Sequence, residues 1–233
     1  MHRHGPFSCA PLGPDDVEIV EREVAWQGFF RIERFRVRHR LFSGGWSAEL
    51  RREVFERGTA AAILLYDPDR DAVVLIEQFR LPAHLAGFSP WQLEIVAGII
   101  DRERDAEAVV RAEALEEAGV EVAGDIVPIH RFLTSQGGST EIVTLFCGRV
   151  DSRGAAGVHG LVDEGEDIRV KVLPWREAAA LVRRDGVENA FTLVALYWLQ
   201  AHRARLRRMW LGGGRPAAVG SRPNRQAAPK EET

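Results

Sequence analysis

The 233-residue sequence contains only two cysteines, no long apolar run and no excess of basic residues. Cys9 and Cys147 imply no disulfide framework and are typical of a reducing compartment. No apolar segment approaches the roughly 18 residues of a membrane span, and no signal-peptide core is present near the N-terminus. A net charge of -3 gives no general attraction to nucleic acid or to an anionic membrane. We therefore predict a cytoplasmic protein with no nucleic-acid partner and no membrane partner.

The composition predicts a globular protein with a substantial core, because 45% of the residues are hydrophobic and 28% are charged. β-prone runs between Val17 and Phe55 predict an antiparallel β module with apolar residues on both faces. Such a sheet needs a second surface to cover it, for example that of a partner subunit. We divide the chain into a flexible lead-in, the β module, a main domain and a disordered tail, at residues 1–14, 15–58, 59–210 and 211–233.

Strand-like and helix-like patterns follow one another in the main domain and predict a layered α/β/α sandwich. The segment from Leu81 to Pro90 is predicted to be a loop. Pro174 is expected at the first position of a helix that ends near Arg184, and a final helix is expected from Asn189 to Met209. The predicted strands are Thr59–Tyr66, Ala72–Arg80, Ile126–Thr134, Glu141–Val150 and Ile168–Leu173.

The stretch GIIDRERDAEAVVRAEALEEAGV, from Gly98 to Val120, carries the densest acidic cluster. Glu113, Glu116 and Glu117 have helical spacing, so their carboxylates share one face and repel one another. A divalent cation compensates such a cluster, and carboxylate oxygens favour Mg²⁺ or Mn²⁺. The alternative interpretation is a solvated acidic helix face.

The boundaries and the packed side of this helix can also be predicted. Asp105 is expected to cap its N-terminus, and Gly119 is expected in a left-handed C-cap. The face opposite Glu113 is predicted to be the core-facing side, which places in the core Ala108, Arg111, Leu115 and Ala118.

The spacing of the stretch resembles the Nudix box, in which a glycine and several glutamates recur in fixed register. Gly98, Glu113, Glu116, Glu117 and Gly119 match that register. The chain departs from the box at two positions: the box glutamate is replaced by Arg104 and the box arginine by Ala112.

The resemblance extends to bacterial ADP-ribose pyrophosphatases of the Nudix superfamily and covers about Asp15 to His202. It includes VVLIEQFR, WQLEIVAGII, GGSTE and HGLVDEGEDIRV. The resemblance implies a Nudix fold, with residues 59–210 as the catalytic domain and residues 15–58 serving dimerisation and base binding. It also implies a homodimer that hydrolyses the diphosphate bond of ADP-ribose to AMP and ribose 5-phosphate. The implied cofactor is Mg²⁺, for which Mn²⁺ can substitute.

The resemblance also assigns metal ligands and a general base. Besides the three box glutamates, it implies metal contacts by the backbone carbonyl of Ala97 and by Glu166, with Glu164 as the base. From the residues alone, the acidic segment from Asp163 to Asp167 could equally be a solvated loop.

Substrate contacts are implied in three regions. Phe29, Phe30, Arg52 and Glu53 resemble residues that hold the adenine across the dimer. Arg57 and Arg80 are expected near the phosphates, because a planar guanidinium matches phosphate oxygens. Core packing is the alternative role of the two phenylalanines. The remaining implied contacts, which include a loop that holds the terminal ribose, are Ile99, Ser135, Gln136, Gly137 and Glu141.

Two classes of function remain open at this stage. The first is a diphosphatase acting on ADP-ribose or on another nucleoside diphosphate sugar, such as GDP-mannose. The second is a noncatalytic nucleotide-binding protein on the same scaffold. Retention of the three glutamates and of the acidic loop favours the enzyme, because a binder has little use for a metal cluster and a base.

Overall fold

The computed structural model of this chain describes residues 12–100 and 104–212. The predicted tail from residue 213 onward and most of the predicted lead-in lie outside these residues. Within them the chain forms two β-sheets, and helices pack against the second of these. In this part of the chain no helix combines the length and apolar character that crossing a bilayer requires.

The first sheet is antiparallel, in the order β1 (Val17–Gln27), β2 (Arg31–His39) and β3 (Leu50–Glu56). These strands confirm the predicted β module. One face carries a ladder of ion pairs, in which Arg34 contacts Glu23 at 2.7 Å and Arg36 contacts Glu21 at 2.9 Å. Every residue of β1 is exposed, including apolar side chains such as Ile19.

The second sheet consists of β4 (Thr59–Asp67), β5 (Ala72–Phe79), β6 (Trp91–Glu94), β7 (Val96–Ile99), β8 (Ala123–Leu133), β9 (Ile142–Arg149), β10 (Val158–His159) and β11 (Ile168–Pro174). It is mixed and runs in the order β10-β11-β5-β4-β9-β8, with β6 paired to β5 and β7 paired to β4. The central strand β4 lies parallel to β9 and antiparallel to β5 and β7. The predicted strand positions are confirmed to within a few residues.

Two hydrophobic cores cover the two faces of this sheet. Side chains alternate along β4, so that Leu64 and Tyr66 enter one core while Ile63 and Leu65 enter the other. The first core packs against α3 (Trp175–Arg183) and α4 (Ala190–Leu211), and the second packs against α2 (Ala106–Ala118). This arrangement confirms the predicted α/β/α sandwich.

A buried aspartate closes the turn between β4 and β5. The Asp67 carboxylate accepts hydrogen bonds from the backbone N–H groups of Asp69 and Arg70, and from both the N–H and the hydroxyl of Ser152. Burial raises the pKa of Asp67, but the bonds from Ser152 and Arg70 outweigh it and lower the pKa to about 2. Asp67 therefore links the hairpin to the segment after β9 as a carboxylate.

Three predictions about helices need correction. The segment expected to be only a loop contains a short helix, α1 (Leu81–Leu85), in which Pro82 occupies the first turn. Pro174 ends β11 and caps α3 instead of occupying the first helical position. On α2, Ala108 and Leu115 are exposed, because the helix packs through Val109, Val110, Ala114, Glu117 and Ala118. The acidic side of α2 is therefore partly its packed side.

Candidate active site

Both ends of α2 are set by capping residues. The Asp105 carboxylate accepts a hydrogen bond from the Ala108 N–H at 2.8 Å, and Gly119 ends the helix with φ of 63°. Both predicted caps are confirmed. Arg111 pairs with Glu107 and donates to the carbonyls of Val122 and Gly124, at 2.8 and 2.6 Å. These bonds hold the chain that leaves α2 and so fix the helix over the sheet.

Two of the box carboxylates lie against the backbone of β7. The Ala97 N–H donates to Glu117 Oε2 at 3.2 Å. A Cβ atom at Gly98 would lie 2.2 Å from Glu113 Oε1, so a side chain at this position would displace the carboxylate. The geometry explains the glycine and brings together three predicted metal-site residues, Ala97, Glu113 and Glu117.

Glu117 is the most buried member of the cluster, with 3% of its surface exposed. Burial, followed by repulsion from Glu113, raises the pKa of Glu117 to about 8. The Ala97 N–H and the charge of Arg80 act in the opposite direction, and Glu166 adds to the increase. Glu113 on α2 and Glu166 on the loop before β11 thus both act on the Glu117 carboxyl.

The loop that carries Glu166 is attached to α2. The Gly160 N–H donates to the Glu116 carbonyl at 3.3 Å, and the Leu161 N–H donates to Glu166 Oε2 at 2.9 Å. A Cβ atom at Gly160 would lie 2.6 Å from the Cβ of Glu166, so the loop and this glutamate require a glycine there. Glu164 lies in a 3₁₀ turn, Val162–Glu164. The side chain of Glu164 is outside the described part of the structure, and its role as base stays a prediction.

The donor set fits a hard divalent cation. The predicted ligands offer only carboxylate and carbonyl oxygen atoms, which Mg²⁺ and Mn²⁺ prefer. Among residues 12–100 and 104–212, no three such side chains are already arranged to bind a metal ion. Because these carboxylates repel one another, we expect their side chains to turn toward a cation when it binds.

A cavity of about 300 Å³ lies where the first sheet meets the second. Four predicted substrate-binding residues line it, namely Phe29, Phe30, Arg57 and Ile99. Phe29 is 85% exposed, so its alternative role as a core residue is wrong. The ring of Phe30 contacts those of Phe29 and Phe55 edge to face, and the Arg57 guanidinium lies 5.5 Å from its centroid. The cavity therefore offers an exposed aromatic ring and a cation.

The loop predicted to hold the ribose docks beside this cavity. The Phe55 N–H donates to the Gly138 carbonyl at 2.8 Å, and the Thr140 N–H donates to the Phe55 carbonyl at 3.2 Å. Glu141 is buried, and its carboxylate contacts Arg57 at 3.1 Å and the Thr134 hydroxyl at 2.8 Å. The loop residues Ser135, Gln136 and Gly137 are exposed next to these contacts.

Arg52 and Glu53 lie elsewhere on the same chain. Both are exposed on β3, where Glu53 pairs with Arg34 at 3.5 Å. They do not line the cavity formed by Phe29 and Phe30. Their predicted contact with adenine was assigned across a dimer, so it stays a prediction about the partner subunit's cavity.

Arg80 has a partner that sequence reasoning missed. Glu94 is buried at the end of β6, and its carboxylate accepts a hydrogen bond from Arg80 Nη2 at 2.8 Å. A signal for it exists in the sequence, because Glu94 is the one charged residue in the otherwise uncharged run WQLEIVAGII. A charge on a buried strand requires a partner, which this structure supplies.

Comparisons with known proteins agree with this geometry. The family model described as NUDIX domain matches residues 56–197. An ADP-ribose pyrophosphatase of Escherichia coli (strain K12) is 47% identical over 199 residues, which cover 85% of this chain and 95% of the relative. A second protein of that name, from Haemophilus influenzae, is 37% identical over 198 residues, and the alignment covers 84% of this chain and 91% of that relative.

Two further similarities are more distant. A GDP-mannose pyrophosphatase of Citrobacter koseri is 36% identical over 152 residues, which cover 65% of this chain and 78% of the relative. The crystal structure of an ADP compounds hydrolase superposes with a TM-score of 0.63 at 17% identity, covering 82% of this chain and 97% of that chain. At that identity the structural similarity shows the fold alone.

Proposed function

This chain belongs to the NUDIX family, and from this premise we propose that it hydrolyses the diphosphate bond of ADP-ribose, giving AMP and ribose 5-phosphate. The two carboxylates at the backbone of β7 carry the proposal, because Glu113 and Glu117 are predicted metal ligands and a third predicted ligand, Glu166, acts on Glu117 from the loop before β11. The ADP-ribose pyrophosphatases that resemble this chain over most of its length support the choice of substrate.

We assign the cofactor as Mg²⁺, with Mn²⁺ as a substitute. The ion would be held by Glu113, Glu116, Glu117, Glu166 and the Ala97 carbonyl. When bound, it neutralises charge on the diphosphate and favours attack by water at phosphorus.

The chain's own residues bind and orient the substrate. Arg57 and Arg80 present guanidinium groups to the negatively charged diphosphate. Phe29 and Phe30 offer rings on which the adenine can stack, with the partner subunit contributing polar contacts through its copies of Arg52 and Glu53. The loop from Ser135 to Gly137 is assigned to the terminal ribose.

Glu164 is assigned as the general base. A carboxylate at this position would take a proton from the attacking water while the new oxygen–phosphorus bond forms and the bridging phosphorus–oxygen bond of the diphosphate breaks. The backbone of Glu164 lies in the turn Val162–Glu164, two residues before the predicted metal ligand Glu166.

We further propose a cytoplasmic homodimer in which the β module of each subunit packs on the other. The exposed apolar residues of β1, including Trp26 at 57% exposure, support this arrangement. Light scattering at micromolar concentration is expected to report a dimer, and truncation before Thr59 is expected to abolish dimerisation and nucleotide binding. A fully active monomer would exclude the arrangement.

The substrate can be tested with a panel of nucleoside diphosphate sugars in the presence of Mg²⁺. Phosphate release after added phosphatase is expected to be highest with ADP-ribose. GDP-mannose is the second candidate, because a protein of that specificity aligns with 65% of this chain. Tight binding of ADP-ribose without turnover at saturating Mg²⁺ or Mn²⁺ would instead indicate a noncatalytic nucleotide-binding protein.

A further inference from the structure

Glu94 receives hydrogen bonds from three other residues. Arg80 donates to Glu94 Oε2 through Nε at 3.2 Å and through Nη2 at 2.8 Å, and Gln78 donates to the same oxygen at 3.1 Å. The amide of Asn189 donates to Oε1 at 3.1 Å. Both oxygens of this buried carboxylate are therefore satisfied, which a buried charge requires.

The contact uses one edge of the Arg80 guanidinium and leaves the other edge available. Nε and Nη2 face Glu94, whereas Nη1 donates to no acceptor within the part of the chain that the structure describes. The side chain of Arg80 is 45% exposed, so the available edge can be reached by a ligand. The same guanidinium lies close enough to Glu117 for its charge to act on that carboxylate.

Glu94 is itself held in place from several directions. Asn189 caps α4 by accepting a hydrogen bond from the Thr192 N–H at 3.0 Å, while its amide holds Glu94. The Thr192 hydroxyl accepts a hydrogen bond from the Ile95 N–H at 2.9 Å. The N-terminus of α4 is thus joined to Glu94 and to the backbone of the next residue, Ile95, which restricts where the carboxylate and its arginine can lie.

We propose that Glu94 is a positioning residue, which holds one edge of Arg80 so that the opposite edge faces the diphosphate of the substrate. The inference rests on the proposed function, because it names the residue that orients a phosphate-binding arginine of that same site. An arginine held in this way loses less side-chain entropy when it binds a phosphate. Glu94 acts on the substrate only through Arg80.

A double-mutant cycle tests this dependence. The four proteins are the unsubstituted chain, Glu94→Gln, Arg80→Ala and the double variant, each assayed for kcat/KM with ADP-ribose and Mg²⁺. We expect Glu94→Gln to lower kcat/KM by about tenfold or more when Arg80 is present and by less than about twofold when it is absent. A residue with a merely structural role would cause the same loss in both backgrounds, and that result would overturn the proposal.

A neighbouring glutamate provides a matched control. Glu77 lies on β5 but pairs with Arg169 and Lys171 on β11, away from Arg80. We expect Glu77→Gln to change kcat/KM by less than about twofold in both backgrounds. A loss equal to that of Glu94→Gln would show that any lost glutamate in this region has the same effect, and would overturn the specific role of Glu94.

Two further measurements keep the result decisive. If Glu94→Gln does not fold, Asn189→Ser enters the same cycle, because serine still caps α4 but lacks the amide that holds Glu94. A smaller loss, about threefold, is expected, again only when Arg80 is present. If the unsubstituted protein shows no turnover, the proposed function fails, and calorimetric affinities for ADP-ribose complete the cycle; equal losses of affinity with and without Arg80 would overturn the positioning role.

Discussion

The Nε atom of Arg57 lies 3.1 Å from Oε1 of Glu141, and this ion pair joins the end of the first sheet to the loop before β9. The two side chains differ in burial, since Arg57 is 38% exposed and Glu141 is 7% exposed. The predicted phosphate-binding and ribose-binding residues are thus in direct contact. The loop from Ser135 to Thr140 is fixed to the first sheet at the same place.

The unequal burial of this pair predicts unequal effects on stability. Arg57→Ala leaves Glu141 buried without its cation and should lower the free energy of unfolding by about 1–3 kcal/mol. Glu141→Gln should lower the free energy of unfolding by a smaller amount, because the released Arg57 can turn toward water. Urea denaturation of both variants measures the difference, and a larger loss from Glu141→Gln would contradict this explanation.

Glu117→Gln should abolish most turnover without weakening the fold. The substitution removes a proposed metal ligand, so we expect a loss of kcat on the order of a hundredfold or more. With its pKa raised to about 8, Glu117 is mostly protonated at neutral pH in metal-free buffer, and glutamine resembles the protonated carboxyl, so thermal stability there should not fall. Glu107→Gln on the same helix is the control, because Glu107 is exposed and pairs with Arg111. Kinetics of Glu117→Gln like those of the unsubstituted protein would exclude the metal assignment.

The two loop glutamates should differ in what they change. Glu164→Gln is expected to lower kcat far more than it raises the Kd for ADP-ribose, because a general base acts in the reaction step. Glu166→Gln is expected mainly to raise the Mg²⁺ concentration required for activity. Steady-state kinetics across a Mg²⁺ titration separate the two outcomes. Equal and small effects would mean that the base lies elsewhere.

The departures from the box predict a weakened but active hydrolase. Arg104 and Ala112 replace an oppositely charged pair of the family pattern, and paired loss is less damaging than the loss of one partner. The double substitution Arg104→Glu with Ala112→Arg should therefore lower the Mg²⁺ concentration required for activity and raise turnover. Metal titration of both proteins measures this effect, and unchanged rate and metal requirement would show that these positions are neutral in this chain.

Stability in acid should depend on Asp67, which lies in the turn far from the carboxylate cluster. Its folded-state pKa of about 2 lies below the ordinary value of 3.8, so the carboxylate stabilises the fold above about pH 4 and this contribution is lost as the pH falls toward 2. The contribution is about 2–3 kcal/mol at neutral pH. Asp67→Asn should therefore lower the free energy of unfolding at pH 7. The variant should also lose less of that free energy than the unsubstituted protein does between pH 4 and pH 2. Urea denaturation at several pH values measures both effects, and an unchanged pH profile would contradict this role.

Features set by local sequence were predictable, and those set by packing between distant segments were not. Asp105 and Gly119 cap α2 as predicted, because a cap depends on residues within one helical turn. The exposed Ala108 and Leu115 were assigned to the core because alanines lie on several sides of α2 and give no sharp apolar stripe. The pairing of Glu94 with Arg80 required the position of β6 beside β5, which no local pattern specifies.

The same distinction applies to the candidate site. Helical spacing placed Glu113 and Glu117 on one face, and the structure adds that β7 backbone atoms contact both. The resemblance located Phe29, Phe30, Arg57 and Ile99, which share a cavity. The contact between Arg57 and Glu141 depends on how the first sheet meets the loop before β9, so it became visible only in the folded chain.

The outer edge of β1 has a consequence for how copies of this chain can associate. An unpaired strand edge can recruit strands from other molecules, which leads to uncontrolled aggregation. Register irregularities between Ile19 and Glu21 and between Val24 and Trp26 interrupt this edge. Strand addition between copies is therefore disfavoured at this edge, and we expect the proposed subunit contact to form through the broad faces of the sheet, where a two-fold contact would close into a pair.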